Sequence, residues 1–154
     1  MTTDTLTKTD LETTPTRLGH ALVRRLPTVA RVLLGLNFFV FGLNGFLNFI
    51  PPPSGPLPEG AVKLATAFVE SGYLFSLIKG TEVVAGLALL GGRFVPLALV
   101  VLAPVVVNIV AFHAFLLPSG TGFALALAGL TLYVAWAYRQ AYAPLLTARA
   151  HAAR

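Results

Sequence analysis

The chain has no cysteine, which excludes thiol redox chemistry, disulfide exchange, covalent c-type haem and thiolate metal sites in this polypeptide. Charge is almost as scarce. Asp, Glu, Lys and Arg make up 11% of the 154 residues, where a soluble domain carries roughly 25%, so the solvated surface that water demands is missing. Of the six acidic residues, Asp4, Asp10 and Glu12 fall in the first 26 positions. No HExxH, CxxC, glycine-rich phosphate loop or serine-nucleophile pattern occurs. His20 and His151 belong to charged flanks, which leaves His113 as the sole histidine in an apolar run. One chain therefore offers no bis-histidine haem ligation within a bilayer, and no metal or haem is expected.

What is present is hydrocarbon. Hydrophobic residues make up 56% of the chain and the mean hydropathy is +0.79. Four runs match the roughly 20 residues that cross a bilayer as a helix: about 28–50, 73–91, 94–117 and 122–142. The expected fold is all-α, an integral membrane bundle of four transmembrane helices. Residues 1–26 read as a disordered tail followed by a short amphipathic helix, with Leu18, Ala21, Leu22 and Leu26 set against Arg17, Arg24 and Arg25, ending before Pro27. The membrane domain covers 27–146 and a cytoplasmic tail 147–154. Gly91-Gly92-Arg93 and Pro118-Ser119-Gly120-Thr121 read as tight turns, making hairpins of the last three spans. The first connection is longer. Its run Pro51 to Pro58 resists helix, and Ala61, Leu64, Ala65 and Phe68 then recur at helical spacing, which predicts a short interfacial helix.

Orientation follows from the cations. Lys8, Arg17, Arg24, Arg25, Arg31, Arg93, Arg139, Arg149 and Arg154 fall on one side, and only Lys63 and Lys79 on the other. Both termini are predicted to be cytoplasmic, with the proline-rich connection on the opposite side of the membrane and no cleaved signal. The net charge of +5 reads as topology rather than nucleic-acid binding, because the cations flank apolar runs and form no stripe.

A polar side chain without a partner is costly in hydrocarbon, so each one inside a span needs a reason. Arg31 lies one turn from the cytoplasmic edge and reads as an orientation charge that snorkels. At about 1.5 Å per residue from the outer ends, Lys79 and His113 lie roughly 6 to 8 Å deep, Asn44 about 9 Å, and Glu82 and Asn108 about 12 to 14 Å. Five polar groups from three helices thus share one layer. Lys79 and Glu82, three apart, are placed to pair. Asn37, Asn44 and Asn48 form a stripe facing the bundle interior, while Gly35 and Gly42 form a second stripe suited to close helix contact, within the bundle or between chains. Pro104 is expected to bend the third span near Asn108.

The runs RVLLGLNFFVFGLNGFLNF from Arg31, SGYLFSLIKGTEVVAGLALLGGRFVPLAL from Ser71, LAPVVVNIVAFHAFL from Leu102 and AWAYRQAYAPLL from Ala135 resemble the DoxX family of small bacterial membrane proteins. The most specific parts are the Lys79/Glu82/Gly86 pattern and the stretch from Asn108 to His113. The resemblance implies a four-helix membrane bundle and a link to quinone-dependent redox systems. On this basis the expected role is a membrane subunit of an oxidoreductase, contacting a quinone head group or a partner subunit. Glu82 is the candidate proton carrier, and Lys79, Asn108, His113 and Asn44 are the candidate ligand-binding residues. The chain holds no visible electron carrier, so a redox step needs a partner or an organic cofactor. Two other classes stay open: a small proton or solute transporter, and a non-catalytic assembly protein in which Lys79 and Glu82 are only an ion pair. A homo-oligomer is compatible with all three.

Overall fold

The computed structural model describes residues 14–51 and 55–146, with side chains over 25–51 and 55–143. The described residues contain no strand. The elements run α1 (Thr14–Leu47), α2 (Glu59–Glu70), α3 (Leu74–Gly91), α4 (Val95–Phe115), a 3-10 turn at Pro118–Gly120, α5 (Thr121–Ala137) and a 3-10 segment at Arg139–Leu146. Four stretches are long and apolar enough to span a membrane: Arg25–Leu47, Leu74–Gly91, Val95–Phe115 and Pro118–Ala137. Four helices of this kind suit a multi-pass membrane protein. The expected N-terminal tail, the middle of the proline run, the amphipathic face before Pro27 and the C-terminal tail lie wholly or largely outside the described residues.

The four long helices form a ring in which α1 packs on α3 and α5, and α4 on the same two. Leu34, Phe38, Leu89, Leu102 and Val134 fill the centre. The outer surface is apolar too, with Leu33, Val84, Val107 and Leu132 all exposed.

Three boundaries differ from the sequence reading. Instead of a separate helix ending before Pro27, α1 is continuous from Thr14 through Pro27. A proline deprives a helix of one hydrogen bond and crowds the preceding turn, yet the flanking bonds can carry the helix onward, as they also do around Pro104 in α4. The far end of α1 comes at Leu47 rather than near Ile50, because Asn48 takes the left-handed conformation (φ 50°) that asparagine tolerates better than most residues. Asn48 is thus exposed beyond the helix instead of facing the interior. At the other end of the chain α5 stops at Ala137 rather than at Tyr142. There the Arg139 guanidinium donates to the Trp136 carbonyl at 3.1 Å and lies 4.6 Å from the centre of its ring, while the Tyr142 hydroxyl donates to the Pro96 carbonyl at 3.4 Å.

The tightest contact joins α1 to α3. A β-carbon on Gly86 would stand 2.6 Å from the Phe39 backbone nitrogen, and one on Gly35 would stand 3.0 Å from the Leu90 nitrogen. Close backbone approach of this kind is what small residues allow between helices in lipid. Gly35, Gly42 and Gly45 therefore all serve contact within the bundle. At the same interface the half-buried Arg31 does more than mark an orientation: its Nη1 donates to the carbonyls of Leu89 and Leu90, the latter at 3.2 Å, capping the C-terminus of α3.

Candidate functional site

Ser71 sets up one wall of the site. Its hydroxyl donates to the Phe68 carbonyl at 2.7 Å and accepts the Leu74 N–H at 2.9 Å, linking the end of α2 to the start of α3. Gly72 follows with φ 76°, a conformation that favours glycine. The resulting turn folds α2 back across the ends of α3 and α4, where Gly60 comes close to Leu116 and Ala61 is buried.

Between α2, α3 and α4 lies a cavity of about 170 Å³ whose polar lining is Lys79, Glu82, Asn108 and His113. The remaining wall is apolar, with Leu64 and Phe68 from α2, Phe75 and Ile78 from α3, and Phe112 from α4. Four of the five residues singled out in the sequence converge here. Asn44 does not: its Oδ1 accepts the N–H of Ile50 at 2.6 Å, closing the turn after α1.

Glu82 is 4% exposed, and its carboxylate accepts a hydrogen bond from the Lys79 ammonium at 2.8 Å. The pair is held from behind by α1. Gly42 lies against the Glu82 β-carbon and Gly45 against the aliphatic stem of Lys79, where a side chain at 45 would meet Cγ at 2.5 Å. Three residues forward on α1 answer to three back on α3, so the glycine spacing is matched to the charge spacing.

His113 is fixed by its own helix. Its Nδ1 lies 2.8 Å from the Ile109 carbonyl. A carbonyl oxygen only accepts, so Nδ1 carries the proton and Nε2 of the neutral ring is an acceptor. On its Nε2 edge the ring packs against Gly120, where a β-carbon would stand 2.5 Å from that nitrogen. Thr121 tightens the same corner by donating to the His113 carbonyl at 3.2 Å. Asn108 is exposed at the cavity mouth and brings an amide with both donors and an acceptor.

The arrangement therefore offers a cation, an amide, a buried carboxylate and an imidazole acceptor around one small space. It can hydrogen-bond carbonyl oxygens through Lys79 and Asn108 and receive protons at His113 and Glu82. Toward the opposite end of the bundle Thr131 turns inward to donate to the Leu127 carbonyl at 2.8 Å, within its own helix. No group of three or more metal-ligating acidic or histidine side chains lies among the described residues.

The sequence marks Gly42 for close helix contact but not its seat against Glu82, nor that of Gly45 against Lys79, and the contact of Gly120 with His113 escaped it altogether. For the first pair a signal existed, because two glycines three apart on one span face two charges three apart on another. Gly120 gave none, since a glycine after Pro118 already fits a turn. Comparison with protein-family models, curated proteins and solved structures finds no match to this chain.

Proposed function

We propose that the chain is a DoxX-like membrane subunit of a quinone-linked redox module, and that the cavity between α2, α3 and α4 takes a quinone head group. In this reading it resides in the bacterial inner membrane with both termini cytoplasmic, and α2 lies at the outer interface. The observation that carries the proposal is the convergence of Lys79, Glu82, Asn108 and His113 on one cavity of about 170 Å³. An apolar cavity of about 150 Å³ is known to hold a benzene ring, so the space suits a single six-membered ring. The donor set also fits. Lys79 has three N–H donors, of which Glu82 takes one, and with the Asn108 amide it can bind the ring oxygens.

A bound quinone would supply a carrier of two electrons and two protons. The chain's part is to orient the ring through Lys79 and Asn108, to hold protons at His113 Nε2 and the Glu82 carboxylate, and to keep water out with Leu64 and Phe68. Electrons would pass to or from a partner oxidoreductase subunit. The test is quinone content and quinone binding of the full chain purified in mild detergent. Glu82→Gln removes the carboxylate that holds the Lys79 ammonium at 2.8 Å and is expected to weaken binding by about tenfold, in the range for a lost charge-assisted hydrogen bond. Unchanged binding in that variant would sink the assignment.

A second reading draws on the pair itself. Glu82 and Lys79 already satisfy each other, as a purely structural ion pair would in an assembly protein. Replacing both with apolar residues and retaining function would favour it.

A further inference from the structure

The polar cavity is not closed on all sides. On its α2 side Leu64, Ala65 and Phe68 wall it. On the other side it shares Phe68, Ile78, Val105 and Asn108 with a second cavity of about 430 Å³ that reaches Thr81 and Pro104. That cavity in turn shares Leu77, Thr81 and Val101 with a third, of about 520 Å³, between α3 and α4. The three form one crease. It runs from Asn108 to Phe94 along α4, a distance of roughly 20 Å at 1.5 Å per residue, or about two thirds of a hydrocarbon core.

Its far section has a built floor and rims. Gly80, Ala85, Ala88 and Ala98 form the floor, and Ala85 and Ala98 are buried. Leu77, Val84 and Leu97 stand exposed along the edges. A comparably large apolar cavity of about 440 Å³ exists between α4 and α5, lined by residues such as Val107 and Leu132, but it shares no residue with the polar cavity. Generic lipid chains would fill both. Only a molecule whose head sits in the polar cavity would be confined to the first.

We infer that the α3–α4 crease binds the prenyl tail of the same quinone whose ring occupies the polar cavity, so that the ligand is a long-chain, membrane-dissolved quinone entering sideways from the bilayer. This rests on the quinone reading above and adds the ligand class and the route. The continuity of the crease with the head-group cavity, through Phe68, Ile78, Val105 and Asn108, selects the tail as occupant.

The test uses the full chain in lipid nanodiscs and two photoreactive prenyl quinones, one activated on the ring and one at the end of the tail. The tail probe is expected to mark Val84 and Leu97 over Val107 and Leu132 by about tenfold, the ratio given by about 1.4 kcal/mol of differential contact. A phospholipid with the same photoreactive group on an acyl chain should mark both sites alike. Gly80→Leu projects into the crease from a position where its β-carbon meets nothing within 4 Å. This variant should cut tail labelling several-fold while ring labelling at the polar cavity persists. Gly129→Leu on α5, equally open at its β-carbon, should change neither. Ring labelling at the polar cavity with tail labelling spread evenly over both sites would overturn the crease and leave the quinone reading standing. Absence of ring labelling would overturn both.

Discussion

Gly42 faces Glu82 so closely that a β-carbon at 42 would stand 2.8 Å from that of Glu82 and 2.9 Å from the backbone nitrogen of Val83. The second contact is with backbone, which cannot swing aside. Gly42→Ala must therefore push α1 away from α3 and is expected to cost about 1 to 3 kcal/mol, the range for overpacking. Thermal unfolding in detergent measures it, with Gly129→Ala as the unstrained comparison. Equal melting temperatures for the two variants would contradict the close approach.

Glu82→Leu alone strands the Lys79 charge in an apolar setting, which costs about 3 to 5 kcal/mol when a buried partner is removed. Adding Lys79→Met should return most of that stability. If the site binds quinone, the double variant is stable yet empty, and a paired measurement of melting temperature and quinone content separates the two effects.

Gly120→Ala drives a methyl group into the His113 ring. The imidazole must leave its seat against the turn, so nitrogen-15 NMR should show loss of the Nδ1–H tautomer that the Ile109 carbonyl selects. Quinone binding should fall about as far as in His113→Ala, by about three- to tenfold for a lost neutral hydrogen bond. An unchanged tautomer in Gly120→Ala would show that the ring does not depend on that glycine.

Arg31 caps two carbonyls at the end of α3, a task its forked guanidinium performs and a lysine ammonium performs poorly. Arg31→Lys keeps the topology charge and is still expected to lose about 1 kcal/mol, the typical value of a hydrogen bond. Were the residue only an orientation signal, Arg31→Lys would melt with the parent protein.

The spans were readable because lipid enforces long apolar runs, and the polar layer because any charge inside such a run stands out. Lys79, Glu82, Asn108 and His113 could be placed at similar depth from helical rise alone. Depth does not give rotation. Asn44 lies at the right level yet spends its carbonyl on the Ile50 N–H, a bond that depends on where α1 ends. That end is set by the left-handed Asn48, one residue's backbone choice against a continuing apolar pattern. His113 was legible only as a candidate ligand-binding residue. Only the contact with Ile109 decides which ring nitrogen holds the proton. Pro27 misled for the opposite reason, since a single lost bond is a weak stop when the turns on either side still hold.

Lys79 and Glu82 belong to the same turn of one helix. Their mutual neutralisation therefore needs no second helix. A lone charge costs roughly 2.5 to 3.5 kcal/mol at the centre of an inserting helix, whereas α3 carries Lys79 and its partner in cis and is electrically balanced as a segment. The glycines of α1 pack on that pair from behind. A charge swap within the turn, Lys79→Glu with Glu82→Lys, keeps that balance while changing what Gly42 and Gly45 meet, and so tests insertion and assembly separately.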